Sequence, residues 1–401
     1  MNYDLSSEEI KQVDLLGSGK YDLIEGIVRF FYNVFVSMFF LKFNFRKSNN
    51  ENIFFVGSVN QEKALQPLSA KVGGSFYYHG NYKNVIFSNG ESFSYLVSLT
   101  CIPLYLYTYF FRANDFQKRM MRCRFDRYIH TYGLYLNYSV YFNNKKTKSI
   151  FISNDHTVWC RVANYVCKQK KIRTIYIQHA NVSKMFPRLN FDYAFLDGSY
   201  SKSVYKVDDH VKVFKVGCVR FENTIENSVV TAKKSGVLIC FNKIDKNEFI
   251  IELCKKFMDS GLKVGFKMHP ADRRHELVST IESFGIYNES QKDAIVSLSD
   301  YEFCVAGNSS IFLDASIAKC KCLSFRDWIG TDDYYDFEKN RVVMVLSDID
   351  DAIDVIKDKK IEFNSDGPSS IYNSTDKELA HISMPSNRII HTLSNFRDKK
   401  H

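Results

Sequence analysis

Apolar residues along the chain fall into short continuous runs that close on polar turns. They occupy 52–58 (NIFFVGS), 84–90 (NVIFSNG), 149–155 (SIFISND), 172–180 (IRTIYIQHA), 191–198 (FDYAFLDG) and 211–218 (VKVFKVGC). Runs of this length and aromatic or β-branched content are strands buried on both faces. Between them the spacing turns helical, as over 157–170, where Val158, Val162, Tyr165 and Val166 share one face. Such alternation predicts βαβ units and a parallel sheet. The polar stretch 222–234 (ENTIENSVVTAKK) interrupts the pattern. The series then restarts with apolar runs at 235–245, 262–270, 293–300 (DAIVSLSD), 301–310 (YEFCVAGNSS) and 321–325, and helices over 248–260, 273–284 and 311–318. The expected architecture is α/β: two Rossmann-like, doubly wound domains over 1–222 and 235–382, with a linker at 223–234. The tail supplies VVMVLSDIDDAIDVI at 342–356 and a last helical candidate at 386–396, within a segment, 383–401, expected to cross back to the first domain.

Two aromatic stretches, 27–43 (IVRFFYNVFVSMFFLKF) and 93–111 (FSYLVSLTCIPLYLYTYFF), raise the question of a membrane. A spanning helix needs about 20 apolar residues. The first stretch is short and carries Arg29; the second carries Pro103 and several tyrosines and serines. One reading makes both buried core helices. The other notes that Arg112, Lys118, Arg119, Arg122, Arg124 and Arg127 follow the second stretch, against only Asp115 and Asp126. An apolar segment followed by a basic one is how a monotopic protein docks on an anionic leaflet. Composition sharpens this: 34 Phe and 25 Tyr among 401 residues exceed what a water-soluble exterior requires. Lys and Arg number 54 against 45 Asp and Glu, and the resulting charge of +9 suits an anionic partner. Nucleic acid is not expected, since no RNP, KH or zinc-finger pattern accompanies the basic segment.

The ten cysteines are scattered, several inside apolar runs where a thiol packs as a small hydrophobe, and read as reduced and cytoplasmic. Cys320 and Cys322 lack zinc-site spacing, so no metal is expected. The opening MNYDLSSEEI has neither a basic n-region nor an apolar h-region, and no signal peptide is expected.

In parallel sheets, ligands sit beyond the carboxyl ends of strands, where helix N-termini present free N–H groups. Neither GxGxxG nor GxxxxGK[ST] is present. Three strand ends stand out instead. At Lys267-Met268-His269-Pro270 the proline stops a strand and leaves an imidazole at its mouth, with Arg273 and Arg274 at the next helix start. His-Pro can also be a mere strand terminator. At Gly307-Asn308-Ser309-Ser310 a strand runs into a helix; Ser309 can simply cap it, and the same geometry makes an anion site. Asp314, one turn on, could reach a ribose diol. In the first half, Asp155-His156 and Gln178-His179-Ala180 end strands on one rim and are candidates to deprotonate an acceptor hydroxyl, although a histidine after a strand is often structural.

Two Rossmann-like halves, the His-Pro and Ser-Ser sites and the QHA loop resemble the GT-B glycosyltransferases, whose two domains face a cleft. More narrowly, 149–330 is similar to the group using cytidine nucleotides: bacterial sialyltransferases, capsule Kdo transferases and CDP-glycerol glycerophosphotransferases. The resemblance implies that His269, Ser309 and Ser310 meet the donor phosphate or sugar carboxylate; from their places at the same strand ends, Lys267, Pro270, Arg273, Asn308 and Asp314 are expected around them. It implies a metal-independent glycosyltransferase without cofactor, peripheral on the inner membrane face. Such an enzyme moves a sugar, with a CMP-linked acidic one favoured, onto a capsule or O-antigen glycan or a lipid-linked acceptor. Arg119, Arg122 and Arg124 would face that acceptor or the membrane. The sialyltransferase acidic-acidic-Gly motif is missing; Leu196-Asp197-Gly198 has one acid, so Asp155, His179 and Asp197 all remain candidate bases. The GNSS string is also similar to UDP-sugar 2-epimerases, and fold alone does not separate transfer from epimerisation.

Overall fold

A computed structural model describes residues 23–40, 50–78, 91–92, 95–143, 146–184, 186–222, 234–270, 272–329, 333–358 and 371–396. The run at 84–90 and residues 223–233 lie outside these. Seven parallel strands make the first sheet: β1 (Asn52–Val56), β2 (Ser75–Tyr78), β3 (Glu91–Ser92), β4 (Ser149–Ile152), β5 (Arg173–Ile177), β6 (Tyr193–Leu196) and β7 (Lys212–Lys215). Their order is β3-β2-β1-β4-β5-β6-β7, so the winding reverses between β1 and β4. Helix α1 (Leu23–Phe40) precedes the sheet, α2 (Val59–Val72) links β1 to β2, and α3 (Ile102–Phe111), α4 (Asp115–Cys123) and α5 (Phe125–Tyr141) lie between β3 and β4. Helix α6 (Val158–Gln169) joins β4 to β5. Its buried stripe is Val162, Ala163, Val166 and Cys167; Tyr165, expected on that face, is exposed beside Tyr135.

The second sheet has six parallel strands: β8 (Val237–Phe241), β9 (Val264–Met268), β10 (Tyr287–Asn288), β11 (Phe303–Ala306), β12 (Lys321–Phe325) and β13 (Val343–Leu346). The order β10-β9-β8-β11-β12-β13 reverses between β8 and β11. Helices α7 (Asn247–Asp259), α8 (His275–Glu282), α9 (Ala294–Ser299), α10 (Ile311–Ile317) and α11 (Ile349–Asp358) cover its faces. Helix α9 corrects the strand expected at 293–300. Asp293 caps it by accepting the Ile295 N–H at 3.1 Å, and Ile295 and Leu298, three apart, turn inward together. A run this short carries either period, and the cap decides.

Helix α12 (Pro385–Asn395) returns to the first domain, where Ile389 and Leu393 join Phe54, Val56, Leu65 and Leu68 in one core. The buried Glu222 carboxylate anchors it, accepting from the Ser386 N–H at 2.9 Å and pairing with Lys71 of α2 at 2.9 Å. Gly198 permits the crossing, because a Cβ there would come within 2.5 Å of the Ile371 carbonyl oxygen.

Helices α1 and α3 carry the described parts of the two aromatic stretches together with the 3-10 turn Tyr95–Cys101, and 41–43 and 93–94 lie outside the described residues. Phe30, Val34 and Ser37 of α1 turn inward, the first two packing with Tyr105 of α3, Met121 of α4 and Ile129 of α5. The other faces expose apolar side chains, Ile24 66% and Phe111 76%, alongside the Arg29–Glu25 ion pair of α1. Among the described residues no helix is long and apolar enough to cross a membrane.

Candidate active site

The carboxyl ends of β4 to β7 form one rim. After β4, Asn154 folds the turn by accepting the N–H groups of His156 and Thr157 at 3.1 and 2.8 Å. The buried Asp155 carboxylate then holds the His156 ring, Nδ1 to Oδ1 at 2.9 Å. After β5, Gln178 accepts the Asp197 N–H at 3.0 Å and donates to the Ala180 carbonyl at 2.9 Å, locking the ends of β5 and β6 together. That lock positions His179 and Asp197. Burial, with Arg220 and His156 nearby, lowers the His179 pKa to about 3, so the ring is neutral at physiological pH. Burial also raises Asp197 to about 7, against the opposing pull of Arg220 and the Cys218 thiol.

Arg220, on the one-turn 3-10 helix Val219–Phe221 beyond β7, reaches across to Asp314 of α10 at 3.1 Å. Asn181 crosses as well, donating to the Ser310 carbonyl at 3.4 Å. The first rim therefore faces the N-terminus of α10 directly. Five buried polar atoms here have no hydrogen-bond partner among the described residues: Ser153 Oγ, Asp155 Oδ2, His179 Nδ1, Asp197 Oδ2 and Arg220 Nε. Each such orphan costs about 1–3 kcal/mol. They gather at four consecutive strand ends, where Tyr205 also bonds the Asp155 side chain and the Cys218 thiol the Asp197 side chain.

On the second rim, β8 and β11 flank the reversal point. Asp245 accepts the Asn242 N–H at 2.6 Å and the Trp328 indole N–H at 2.7 Å. Gly307 lets β11 end against this pair, since a Cβ would lie 2.8 Å from the indole nitrogen. Ser309 Oγ accepts the Ile311 N–H at 3.3 Å, capping α10, whereas Ser310 makes no side-chain cap bond. His269 donates its N–H to Phe241 at 2.9 Å, extending the β8–β9 ladder by one bond, and its residue is exposed together with Pro270 and Arg273. Asn308 is partly exposed beside Ser309.

Two residues expected around the donor phosphate are engaged elsewhere. Lys267 is buried and donates to the carbonyls of Glu289 and Lys292 at 3.0 and 2.5 Å, so its ammonium ties β9 to the 289–292 loop. Asp314 is held by Arg220 and does not stand free for a ribose. Arg274 wraps Asp272, Asn242 and the Asp245 carbonyl, stiffening the turn after β8. Arg220 escaped the sequence reading, although a cation just after the strand run 211–218 is the same signal that singled out His179. Arg119, Arg122 and Arg124 lie on or directly after α4, which packs against α1, α3 and α5. Among the described residues no cluster of His, Cys, Asp and Glu is arranged to hold a metal ion.

Two doubly wound parallel sheets whose carboxyl ends meet across a cleft define the GT-B fold, and this chain has it. Solved structures share it at low identity. The UDP-GlcNAc 2-epimerase of Methanocaldococcus jannaschii matches with a TM-score of 0.54 and 11% identity over 86% of this chain and 99% of that one. UDP-bound MnaA of S. aureus matches at 0.53 and 11% over 87% and 97%. The wall teichoic acid polymerase TagF matches at 0.52 and 9% over 99% and 100%. No family model matches the sequence, and no curated protein does.

Proposed function

We propose that the chain is a transferase that moves a group from a pyrimidine-nucleotide donor onto a surface polymer. The carrying observation is the cluster of unsatisfied buried polar atoms at the first rim, set opposite the N-terminus of α10. The donor phosphate lies at Ser309, Ser310 and His269, where hydroxyl, imidazole and helix N–H groups meet an anion. The acceptor oxygen attacks the donor carbon, the carbon–oxygen bond to the nucleotide breaks with its electrons leaving on phosphate, and the acceptor proton passes to the first rim. His179 takes it: its ring is neutral and its Nδ1 has no partner among the described residues, while the Asp155 and Asp197 residues are more deeply buried. Burial depresses the imidazole most and the Arg220 cation next; donor charge beside Arg220 offsets that second contribution, so the base strengthens when substrate is bound.

A CMP-linked acidic sugar is the first donor to test. A CDP-alditol, whose phosphate travels with the alditol, is the second. A thermal-shift panel of CMP, CDP, UDP and GDP tests the site. Binding at 100 times Kd adds about 2.7 kcal/mol of stability; no shift with any of them refutes the reading. Product mass then separates the transfers, since only the alditol phosphotransferase leaves phosphorus in the polymer.

Peripheral attachment to an anionic bilayer is part of the same proposal. The open apolar faces of α1 and α3 border the basic α4, which carries Lys118, Arg119 and Arg122. That is the composition of an interfacial surface. Sedimentation with anionic liposomes at low salt is the expected behaviour; a protein that stays in the supernatant contradicts it.

A further inference from the structure

The opposite end of the first sheet carries a second concentration of charge. Where β4 to β7 begin, a groove of about 620 Å³ is lined by Lys148, Lys168, Lys171, Arg173 and Lys212, with Asp192 the one acid in its wall. Arg173 opens β5 and His179 follows its far end. A five-residue strand, roughly 17 Å at about 3.3 Å per residue, therefore separates this groove from the cleft.

Four of the five charges are held in place. Lys212 lies 4.1 Å from the centre of the Phe396 ring, and Arg173 lies 5.7 Å from that of Tyr193. Lys168 is fixed by Asn190 and by His210 at 2.9 Å. Asp192 is occupied, accepting the Thr174 N–H at 2.7 Å and its hydroxyl at 3.1 Å. Lys148 has a carboxylate partner, Glu51 at 2.6 Å, in an exposed pair. Lys171, Arg173 and Lys212 form no ion pair among the described residues.

We infer that this groove is an exosite for a linear polyanion, taking successive phosphate or carboxylate groups of the polymer that the cleft extends. The choice of polymer rests on the transferase reading. Spaced, preordered cations in a concave wall suit repeating anions along a chain better than a single ion. The surface does not suit a bilayer, because the exposed apolar residues lie on α1 and α3. It does not suit single-stranded nucleic acid, which needs open rings for stacking; Tyr193 is buried and Lys212 sits over Phe396.

The test measures binding to the full chain at 50 and 200 mM salt. The probes are long-chain inorganic polyphosphate, polygalacturonate, inorganic phosphate and a DNA oligonucleotide. Wild type should bind polyphosphate, polygalacturonate or both more tightly than inorganic phosphate or DNA. Lys148→Gln/Lys171→Gln, both surface changes, should weaken that binding about tenfold and flatten its salt slope by about one per cation removed. Adding Arg173→Gln should weaken it further, with circular dichroism and nucleotide-induced thermal shift unchanged. No polyanion binding, equal binding by the variants, or preference for DNA overturns the exosite. If polyanions bind and nucleotides do not, the groove stands and the transferase reading falls; the reverse result removes only the groove.

Discussion

Asp197 shows how much one buried carboxyl can report. Its pKa, raised from 3.8 to about 7 by burial, makes the ionised form the costly one in the folded chain. The neutral form therefore contributes stability below about pH 4 that is lost as pH rises through 7. In Asp197→Asn that loss disappears, so the melting temperature of the variant relative to wild type should climb by several degrees between pH 4.5 and 8. A constant difference would refute the shift. His179→Asn should lower turnover by 100-fold or more, the usual weight of a general base. His269→Ala should cost roughly 100-fold through lost leaving-group stabilisation. Neither should unfold the protein, and near-normal kinetics for either variant would dismiss its role. Sequence located these residues because strand ends can be read from apolar runs. It misplaced Lys267 and Asp314 because a polar residue's identity does not reveal its partner: the carbonyls of Glu289 and Lys292 in one case, Arg220 from the other domain in the second.

At the scale of elements, the strands with long apolar runs were legible, and 321–325 coincides with β12 residue for residue. The two-residue strands β3 and β10 were not, since Glu91–Ser92 and Tyr287–Asn288 pair at the sheet edges by position and carry no apolar pattern. Helices α1 and α3 gave a mixed answer. Outside the face it buries, each exposes apolar residues, interrupted on α1 by the Arg29–Glu25 pair, so the alternatives of core and interface both describe part of the same helix. A decisive experiment follows from that geometry. Val28, Met38 and Phe110 are exposed, so replacing all three with serine should change folding stability by less than about 1 kcal/mol while abolishing liposome sedimentation. Large destabilisation would mean the faces are covered within the protein, and retained sedimentation would place the contact elsewhere.

The whole molecule depends on how the two domains are joined. Sequence reading yielded two doubly wound units, but contacts between residues a hundred positions apart leave no periodic trace. Among the described residues four ion pairs cross from one domain to the other, Lys184–Asp336 at 3.8 Å and Lys215–Asp376 at 3.5 Å among them, and the remaining two differ in what they are worth. Lys63–Asp293, 2.5 Å long, leaves its side chains 48% and 34% exposed. Arg220–Asp314, at 3.1 Å, leaves 11% and 15% exposed and stands at the cleft itself. Water screens the first, so a double-mutant cycle with Lys63→Met and Asp293→Asn should give a coupling below about 1 kcal/mol. Removing Arg220 alone strands a buried carboxylate; Arg220→Met should cost about 3–5 kcal/mol. Adding Asp314→Asn removes the stranded charge and should recover a large part of that loss, which is the coupling the cycle measures. Chemical denaturation of the four variants in each cycle gives both numbers. Equal coupling for the two pairs would mean that Arg220 and Asp314 are open to solvent, and the rims would then not be held face to face by charge.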